Sequence, residues 1–409
     1  MMATRPTILI FGAGINQLEL IREAIKLGII TVVVDPAAEP PGKPLSDFFY
    51  QVQGEDYDFT KRIALEHQVN GIVTGQMEKP LRLMARLACE LNLTFHTPEA
   101  LERSLDKWLM KQTFMANDIP CARGKLFMGY ETITEESLSD FSYPLIIKPK
   151  DAFSSRGVYK VDRFEELSGH LEETRSFASD GDILVEEFLD GKEFSIESVT
   201  FKGITTIIQI TEKFITPFPN TVEMGHLQPA PLSAKEQNSI LKIVESAIRA
   251  IGIDNSASHT EVILTAKGPK MIEIGARLGG DFIASYLTKA STGVSMDKAA
   301  VQVALGFAPD LHKKHNHYSY VKYLELPIGK KVVKVESIDD LFELPGLVFA
   351  HIFVKAGDVI QPVTHSGLRP ACIIVEADTS EKVMNYVQKY MDLLIKKIIL
   401  EPGNFDNHV

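Results

Sequence analysis

The stretch Ser258–Asp281, SHTEVILTAKGPKMIEIGARLGGD, decides how the chain is interpreted. Two apolar runs, Val262–Leu264 and Met271–Ile274, flank a Thr-Ala-Lys-Gly-Pro break, which is the pattern of a β-hairpin. Because strand side chains alternate between faces, a five-residue loop between the runs would place Glu261 directly opposite Glu273. The hairpin is therefore predicted to carry two carboxylates on one face.

Facing carboxylates repel each other unless a cation lies between them, and oxygen ligands are those that Mg²⁺ accepts. Arg277 follows Glu273 by four residues, so a continued strand would aim its guanidinium at the same place. Two carboxylates and an arginine on one face predict a metal-bound polyphosphate held over an anionic substrate. A solvated hairpin with surface charges is the alternative.

The composition is that of a globular protein with more than one domain. The chain has 409 residues, of which 45% are apolar and 24% charged. No apolar run is long enough for a membrane span and no signal-peptide pattern is present, so we expect a cytoplasmic protein. The net charge of −11, without a long basic stretch, argues against nucleic-acid binding. The three cysteines are expected to be free thiols.

The first 100 residues are predicted to form an open α/β sheet. The strand Thr7–Phe11 runs into a G-x-G turn, a helix and a second strand, which together make a βαβ unit. The dinucleotide fingerprint needs a third glycine where Gln17 stands, so NAD binding is only a weak alternative. Runs at Gly71–Thr74 and Leu93–His96 are expected to extend the sheet.

Cationic and acidic residues then follow apolar runs. A helix expected to be capped by Ser104 carries Lys107 in its first turn, and Lys148 ends an apolar strand, where a buried lysine would need an anion. The loop Asp151–Gly157 can lay backbone N–H groups along a phosphate chain, although it is less glycine-rich than a Walker loop. A further strand runs into V-E-E-F-L-D-G-K-E, which can offer backbone groups to a purine and a carboxylate to a ribose.

These features occur in the order and roughly the spacing of the ATP-grasp superfamily, which the chain resembles over about residues 5–305. The resemblance implies a Rossmann-like domain (1–100), an ATP-grasp domain of two α+β subdomains (101–305) and an α+β C-terminal domain (306–409). It also implies the ATP-binding residues Lys107, Lys148, Ser154, Ser155, Arg156, Gly157, Glu186, Glu187, Phe188, Leu189 and Glu193. Glu261 and Glu273 would hold Mg²⁺, with Mn²⁺ as an alternative ion, and Arg277 would be the catalytic residue at the γ-phosphate.

H-T-E, I-E-I-G-A-R-L-G-G-D and the loop from 218 to 230 are similar to the L-amino-acid ligase branch. This similarity implies substrate contacts from His226, Arg277, Gly279 and Gly280. Gly275 stands where many members place a metal-ligating Asn, so the number of metal ions stays open. We therefore expect an ATP-dependent carboxylate–amine ligase that forms an amide or peptide bond from small-molecule carboxylate and amine substrates through an acyl phosphate. A homodimer is one possible state of assembly.

Two alternatives stay open. One is an ATP-grasp enzyme that acts on a purine-pathway ribotide or on bicarbonate. The other is a non-catalytic nucleotide-binding module, which would keep the adenine cleft but lose the metal-binding acids.

Overall fold

The computed structural model describes residues 5–53, 56–152 and 156–401. The first unit of the chain is a parallel sheet covered by helices. The elements of this unit are β1 (Thr7–Phe11), α1 (Leu18–Lys26), β2 (Ile30–Asp35), β3 (Phe48–Gln51), α2 (Tyr57–Glu66), β4 (Gly71–Thr74) and α3 (Leu81–Leu91). The strand order is β3-β2-β1-β4, and every residue of β1 is buried. Continuous apolar runs suit such strands, because helices cover both faces of a parallel sheet.

The G-x-G turn after β1 is held by the chain's own carboxylate. The N–H of Ala13 donates to Oδ2 of Asp35 over 2.7 Å, and the N–H of Ala37 donates to Oδ1. The side chain of Gln17 packs against Gly12, where a Cβ would lie only 3.3 Å from it. The carboxylate that a dinucleotide site would offer to a ribose thus supports the local backbone.

Two sequence expectations are wrong in the connection that follows. Leu93–His96 does not extend the sheet but carries His96 to the large sheet, where its Nε2 lies 3.0 Å from the carbonyl oxygen of Ala276. Ser104 does not cap the helix with Lys107, because its hydroxyl donates to the carbonyl of Leu101 inside α4 (Pro98–Leu105).

The cap is Asp106, whose carboxylate accepts from the N–H groups of Trp108 and Leu109. A new helix, α5 (Lys107–Ala116), therefore starts at Lys107, which fixes that lysine at the first helical position.

A small antiparallel sheet follows, with one helix. Its elements are β5 (Gly124–Phe127), β6 (Leu145–Pro149), β7 (Tyr159–Val161), α6 (Phe164–Phe177) and β8 (Ile183–Glu187). The strand order is β5-β8-β6-β7. Alternate residues such as Leu145, Ile147, Ile183 and Val185 are fully buried on the face that carries this core. This alternation is that of a sheet with one face packed on a core.

The largest sheet contains the hairpin. Its elements up to residue 323 are β9 (Lys192–Phe201), β10 (Ile204–Ile215), β11 (Glu223–Gln228), α7 (Ala234–Ile251), β12 (Ser256–Thr265), β13 (Gly268–Gly275), α8 (Thr288–Thr292), α9 (Met296–Ala304) and β14 (Tyr318–Tyr323). The predicted capping box at Ser233 is confirmed, since Ser233 and Glu236 bond reciprocally. The helix that it opens packs its apolar face on the sheet.

The rest of the chain adds two strands to the same sheet. It contains β15 (Val332–Val335), β16 (Leu347–Ile352), β17 (Ala371–Ala377), α10 (Ser380–Ile395) and β18 (Ile398–Leu400). The two added strands are β16 and β17, while β15 and β18 pair in a separate two-stranded sheet. The order β13-β12-β9-β10-β11-β14-β17-β16 runs without a break across residue 305. The predicted α/β and α+β fold class is confirmed, while the domain limits at 100 and 305 stay a prediction.

A buried carboxyl lies where the first unit packs on α9. Asp297 is 2% exposed, and its Oδ2 has no partner among the described residues. Burial, with Glu19 and Glu23 of α1 nearby, raises the pKa of Asp297 to about 7, although Lys289 opposes the shift. The folded state therefore holds a proton that the unfolded chain releases at lower pH.

We expect Asp297→Asn to flatten the pH dependence of stability. In the wild type, the contribution of Asp297 is complete below the ordinary aspartate pKa and is lost as the pH rises to about 7. The neutral amide cannot ionise, so the variant should gain on the order of a few kcal/mol relative to wild type between pH 5 and pH 8. Urea unfolding at both pH values measures this gain, and parallel pH profiles would contradict it.

Candidate active site

A cavity of about 600 Å³ lies between the sheets, and its wall is formed by residues of the first unit, the small sheet, the largest sheet and the last part of the chain. The first unit supplies Gln76 and Glu78, and the last supplies Thr364, His365 and Ser366. The small sheet and the hairpin face each other across it. A cleft of this size, lined by a few convergent polar groups, is the usual form of a small-molecule site.

The hairpin places its two carboxylates opposite each other, although its turn differs from the expected one. The strands are joined by two residues, not five, since Thr265 already pairs with Gly268. A two-residue turn alone would pair Glu261 with Ile272. A register shift after Glu261 restores the pairing Glu261–Glu273, so both side chains share one face of the sheet.

Lys213 of β10 lies among the acids of this face. Its Nζ is 2.7 Å from Oε1 of Glu261, 3.3 Å from Glu193 and 3.5 Å from Glu223. Burial opposes the charged ammonium, but the three carboxylates outweigh it and raise the pKa of Lys213 well above its usual value. The same ammonium, together with His259, holds the pKa of buried Glu261 well below its usual range. Sequence reasoning missed Lys213, although a lysine within an apolar strand was the signal used for Lys148.

A lysine of the small sheet and a lysine of α5 contact the same carboxylate. Lys148 Nζ is 2.6 Å from Oε2 of Glu186, and Lys111 Nζ is 2.8 Å from Oε1 of the same carboxylate. Burial opposes ionisation, but the two ammonium groups together lower the pKa of Glu186. Lys148 lines the cavity, whereas Lys111 lies behind it. Glu186, predicted to lie along the adenine, is thus an anchor for two cations.

The remaining nucleotide-side residues line the same wall. Lys107 donates to the carbonyl of Ala152 over 2.6 Å and lies 3.5 Å from Glu273. The cavity wall also contains Arg156, Gly157, Glu187, Phe188, Leu189, Gly191 and Glu193. Ser154 and Ser155 lie outside the described residues.

Three of these residues have further contacts. Gly157 has φ +72°, and a Cβ there would come within 2.8 Å of Phe177. Glu187 pairs with Arg123 at 3.1 Å. Phe188 packs edge-on against Phe218, with ring centroids 6.0 Å apart. The phenylalanine pair gives this end of the cavity an apolar wall suited to a flat base.

Arg277 forms an ion pair with Glu78, which the sequence did not predict. β13 ends at Gly275, so the side chain of Arg277 turns back over that glycine, whose absent Cβ would lie 3.4 Å from the guanidinium carbon. Its Nε and Nη2 donate to Oε1 of Glu78 at 3.0 and 2.5 Å, and Nη1 donates to the carbonyl of Leu278. Burial opposes the charge, but Glu78 outweighs it and raises the pKa of Arg277.

His226 lies on strand β11, not in the loop where the sequence placed it. Its Nε2 is 3.0 Å from Oδ2 of Asp281, and Arg369 donates to both oxygens of that carboxylate at 2.6 and 2.8 Å. Burial opposes ionisation, yet Arg369 and His226 hold the pKa of Asp281 well below its usual range. Asp281 adopts φ +52° at the cavity wall. Asp281 and Arg369 were not predicted, since 88 residues separate them.

The two glycines of the hairpin's exit segment differ in their surroundings. Gly280 lines the cavity, and a Cβ there would have open space, with its nearest neighbour 3.9 Å away. Gly279 instead packs on Glu197 and His259, within 2.7 Å of where its Cβ would lie. Only Gly280 of the pair therefore borders the space that a substrate could fill.

The residues present suit a divalent cation shared with a phosphate ligand. No group of three or more His, Cys, Asp or Glu side chains within the described ranges has the arrangement of a metal site on its own. Two facing carboxylates are nevertheless the donor set with which Mg²⁺ is commonly held, because phosphates and water supply its other ligands. Glu261 and Glu273 fit such an ion.

Two family models match the chain. The ATP-grasp domain matches residues 141–285, and the L-amino acid ligase C-terminal domain 2 matches residues 326–395. None of the helices in the described ranges has both the length and the apolar character needed to cross a membrane.

Known proteins resemble the chain over between two fifths and nearly all of its length. Dapdiamide A synthase of Enterobacter agglomerans is 22% identical over 346 residues, 80% of each chain. A phosphoribosylamine–glycine ligase of Caldanaerobacter subterraneus is 33% identical over 190 residues, 42% of this chain and 45% of that one. The crystal structure of an L-amino acid ligase from Bacillus licheniformis has a TM-score of 0.82 at 23% identity, over 98% of this chain and 99% of the other. The chain spans about half the length of several curated relatives that it matches.

The two matched regions contain most of the residues that line the cavity, and the predicted resemblance is confirmed. The chain therefore contains an ATP-grasp domain at residues 141–285 and, at residues 326–395, a domain of the L-amino acid ligase C-terminal type.

Proposed function

We propose that the chain is an ATP-dependent carboxylate–amine ligase that forms an amide or peptide bond, with an amino acid as one substrate. One observation carries the proposal: the facing pair Glu261–Glu273 and the guanidinium of Arg277 border the same cavity as Lys148. This reaction needs acids that bind the metal of a metal–nucleotide complex, cations that bind phosphates and a planar cation that binds a carboxylate.

The reaction has two steps. A substrate carboxylate oxygen takes the γ-phosphoryl group of ATP, which gives an acyl phosphate and ADP. The amine then attacks the acyl carbon, loses a proton and expels phosphate, so that one amide, one ADP and one phosphate form. Catalysis of phosphoryl transfer is mostly positioning and charge neutralisation.

Each step has residues of this chain to support it. Lys107 and Lys148 would orient the phosphates, Phe188 and Leu189 would cover the base, and Arg277 would bridge the γ-phosphoryl group and the carboxylate. Mg²⁺, or Mn²⁺ in its place, would neutralise phosphate charge when bound by Glu261 and Glu273.

The test is phosphate release from ATP and Mg²⁺ with pairs of amino acids, followed by the mass of the product. An amide whose formation matches phosphate release supports the proposal. Phosphoribosylamine with glycine, and bicarbonate with a ribotide, are tested in parallel, because the phosphoribosylamine–glycine ligase is 33% identical over part of the chain. Activity only with these substrates would favour the purine-pathway alternative, and no activity with nucleotide binding intact would favour the non-catalytic module.

We expect Lys148→Met to weaken ATP binding by roughly 10- to 100-fold, the value of a hydrogen bond to a charged group. Lys111→Met is the matched control, since it too leaves Glu186 with one ammonium but removes no cavity-lining residue. Calorimetric titration with a non-hydrolysable ATP analogue measures both. Equal losses in the two variants would mean that Lys148 only stabilises Glu186.

We further propose a homodimer in the cytoplasm. The fold neighbours include a biotin carboxylase domain described as a dimer, with a TM-score of 0.75 and 20% identity. Light scattering of the purified protein tests the dimer, and a mass of about 45.5 kDa would contradict it.

A further inference from the structure

A buried acid–imidazole pair lies directly behind the expected metal ligand. Glu197 of β9 and His259 of β12 are cross-strand partners, and His259 Nδ1 lies 2.5 Å from Oε1 of Glu197. The other ring nitrogen, Nε2, lies 3.6 Å from Oε1 of Glu261. Glu197 is fully buried and His259 is 9% exposed. The imidazole therefore connects a buried carboxylate to the one that borders the cavity.

We propose that Glu197 and His259 are positioning residues that orient Glu261 for a divalent cation, an inference that rests on the metal–nucleotide site of the proposed function. His259 and Glu261 are two residues apart on one strand, so their side chains share a face. Groups that hold metal-ligating carboxylates commonly change metal affinity by 10- to 100-fold when they are removed.

Two side chains approach a single oxygen of Glu261, Lys213 within hydrogen-bond distance and His259 within ion-pair distance. Lys213 lies 2.7 Å and His259 3.6 Å from Oε1. Contacts with both groups restrict the rotation of the carboxylate, and this restriction determines where its second oxygen lies. Lys213 alone could not do this, because it also serves Glu193 and Glu223.

The Glu197–His259 pair carries a cost in stability. Oε2 of Glu197 has no hydrogen-bond partner among the described residues, and a buried acceptor without a partner is destabilising. Gly279 closes over it, since a Cβ at that position would lie 2.6 and 2.7 Å from the two oxygens of Glu197 and 2.7 Å from Nδ1 of His259. Replacing a buried ion pair by well-packed apolar side chains is often neutral or stabilising, so this pair adds little stability by itself.

The experiment measures ADP affinity by calorimetry at a series of Mg²⁺ concentrations, which needs neither an amine nor turnover. In Glu197→Gln, the Mg²⁺ concentration that gives half of the gain in ADP affinity should rise 10- to 100-fold. ADP affinity without Mg²⁺ should stay unchanged, since Glu197 does not line the cavity.

Ser198→Ala is the matched control. The Ser198 hydroxyl lies 2.7 Å from that of Ser258, and these two residues form the next cross-strand pair of the same two strands. Their side chains lie on the opposite face, so this variant should keep the wild-type Mg²⁺ requirement. His259→Gln is the second variant, and it should repeat the shift if Glu197→Gln unfolds.

The possible results separate the two proposals. An unchanged Mg²⁺ requirement in a folded Glu197→Gln or His259→Gln protein overturns the inference, as does an equal shift in Ser198→Ala. If the ADP affinity of the wild-type protein does not depend on Mg²⁺, both the inference and the proposed metal site are wrong. Failure to form any amide, with the predicted Mg²⁺ shifts observed, would overturn the proposed function alone.

Discussion

Arg277→Lys is expected to lower amine-dependent phosphate release by roughly 10²-fold or more while ATP affinity stays close to that of the wild type. The guanidinium has five N–H donors, three of which contact Glu78 and the carbonyl of Leu278. The others can reach a γ-phosphoryl group and a carboxylate together. A lysine has three donors in all and no planar fork, so it cannot hold Glu78 and bridge two anions. Single-turnover phosphate release and calorimetric ATP titration measure the two quantities.

Glu78→Gln is the control for this prediction. It weakens the ion pair but leaves arginine at position 277, so its rate should fall less than that of Arg277→Lys. Near wild-type turnover by Arg277→Lys would mean that the arginine serves only as the ion-pair partner of Glu78. The reacting carboxylate would then have to lie elsewhere in the cavity.

Asp281→Asn is expected to lower the free energy of unfolding by about 3–5 kcal/mol, the cost of removing one partner of a buried ion pair. Arg369 is 8% exposed and gives two hydrogen bonds to this carboxylate. Asparagine tolerates the left-handed backbone at φ +52°, so the variant changes the charge and not the backbone preference. Urea unfolding at neutral pH measures the loss.

The double variant Asp281→Asn with Arg369→Gln is the matched control. It removes both charges and should recover a large part of the stability, because no unpaired guanidinium remains. A single variant that loses under about 1 kcal/mol would show that solvent reaches Arg369 in solution.

Local patterns in the sequence predicted local structure well. The capping box at Ser233, the hairpin around Glu261 and the strand of Lys148 are set by neighbouring residues, and the structure contains all three. The predicted helix cap at Ser104 is wrong because Asp106 caps the helix instead, and both residue types favour the N-cap position.

Contacts between distant segments could not be predicted from one sequence. Arg277 and Glu78 are 199 residues apart, and their contact depends on how two units pack. The pairing of Glu261 with Glu273 needs a bulge that no turn signal marks. Lys213 and its three acids come from four strands, so their cluster exists only in the folded sheet.

The unbroken sheet limits how C-terminal parts can be exchanged between related chains. β11, which carries His226, is hydrogen-bonded to β14, and the register pairs His226 with Val321. A truncation near residue 305 would remove β14 and leave β11 with a bare edge beside the cavity, open to pairing with another chain. It would also remove Arg369 and so leave Asp281 without its main counter-charge. A chimera that exchanges C-terminal parts between related chains must therefore preserve the β11–β14 register, or it changes the cavity wall around His226 and Asp281 along with the join.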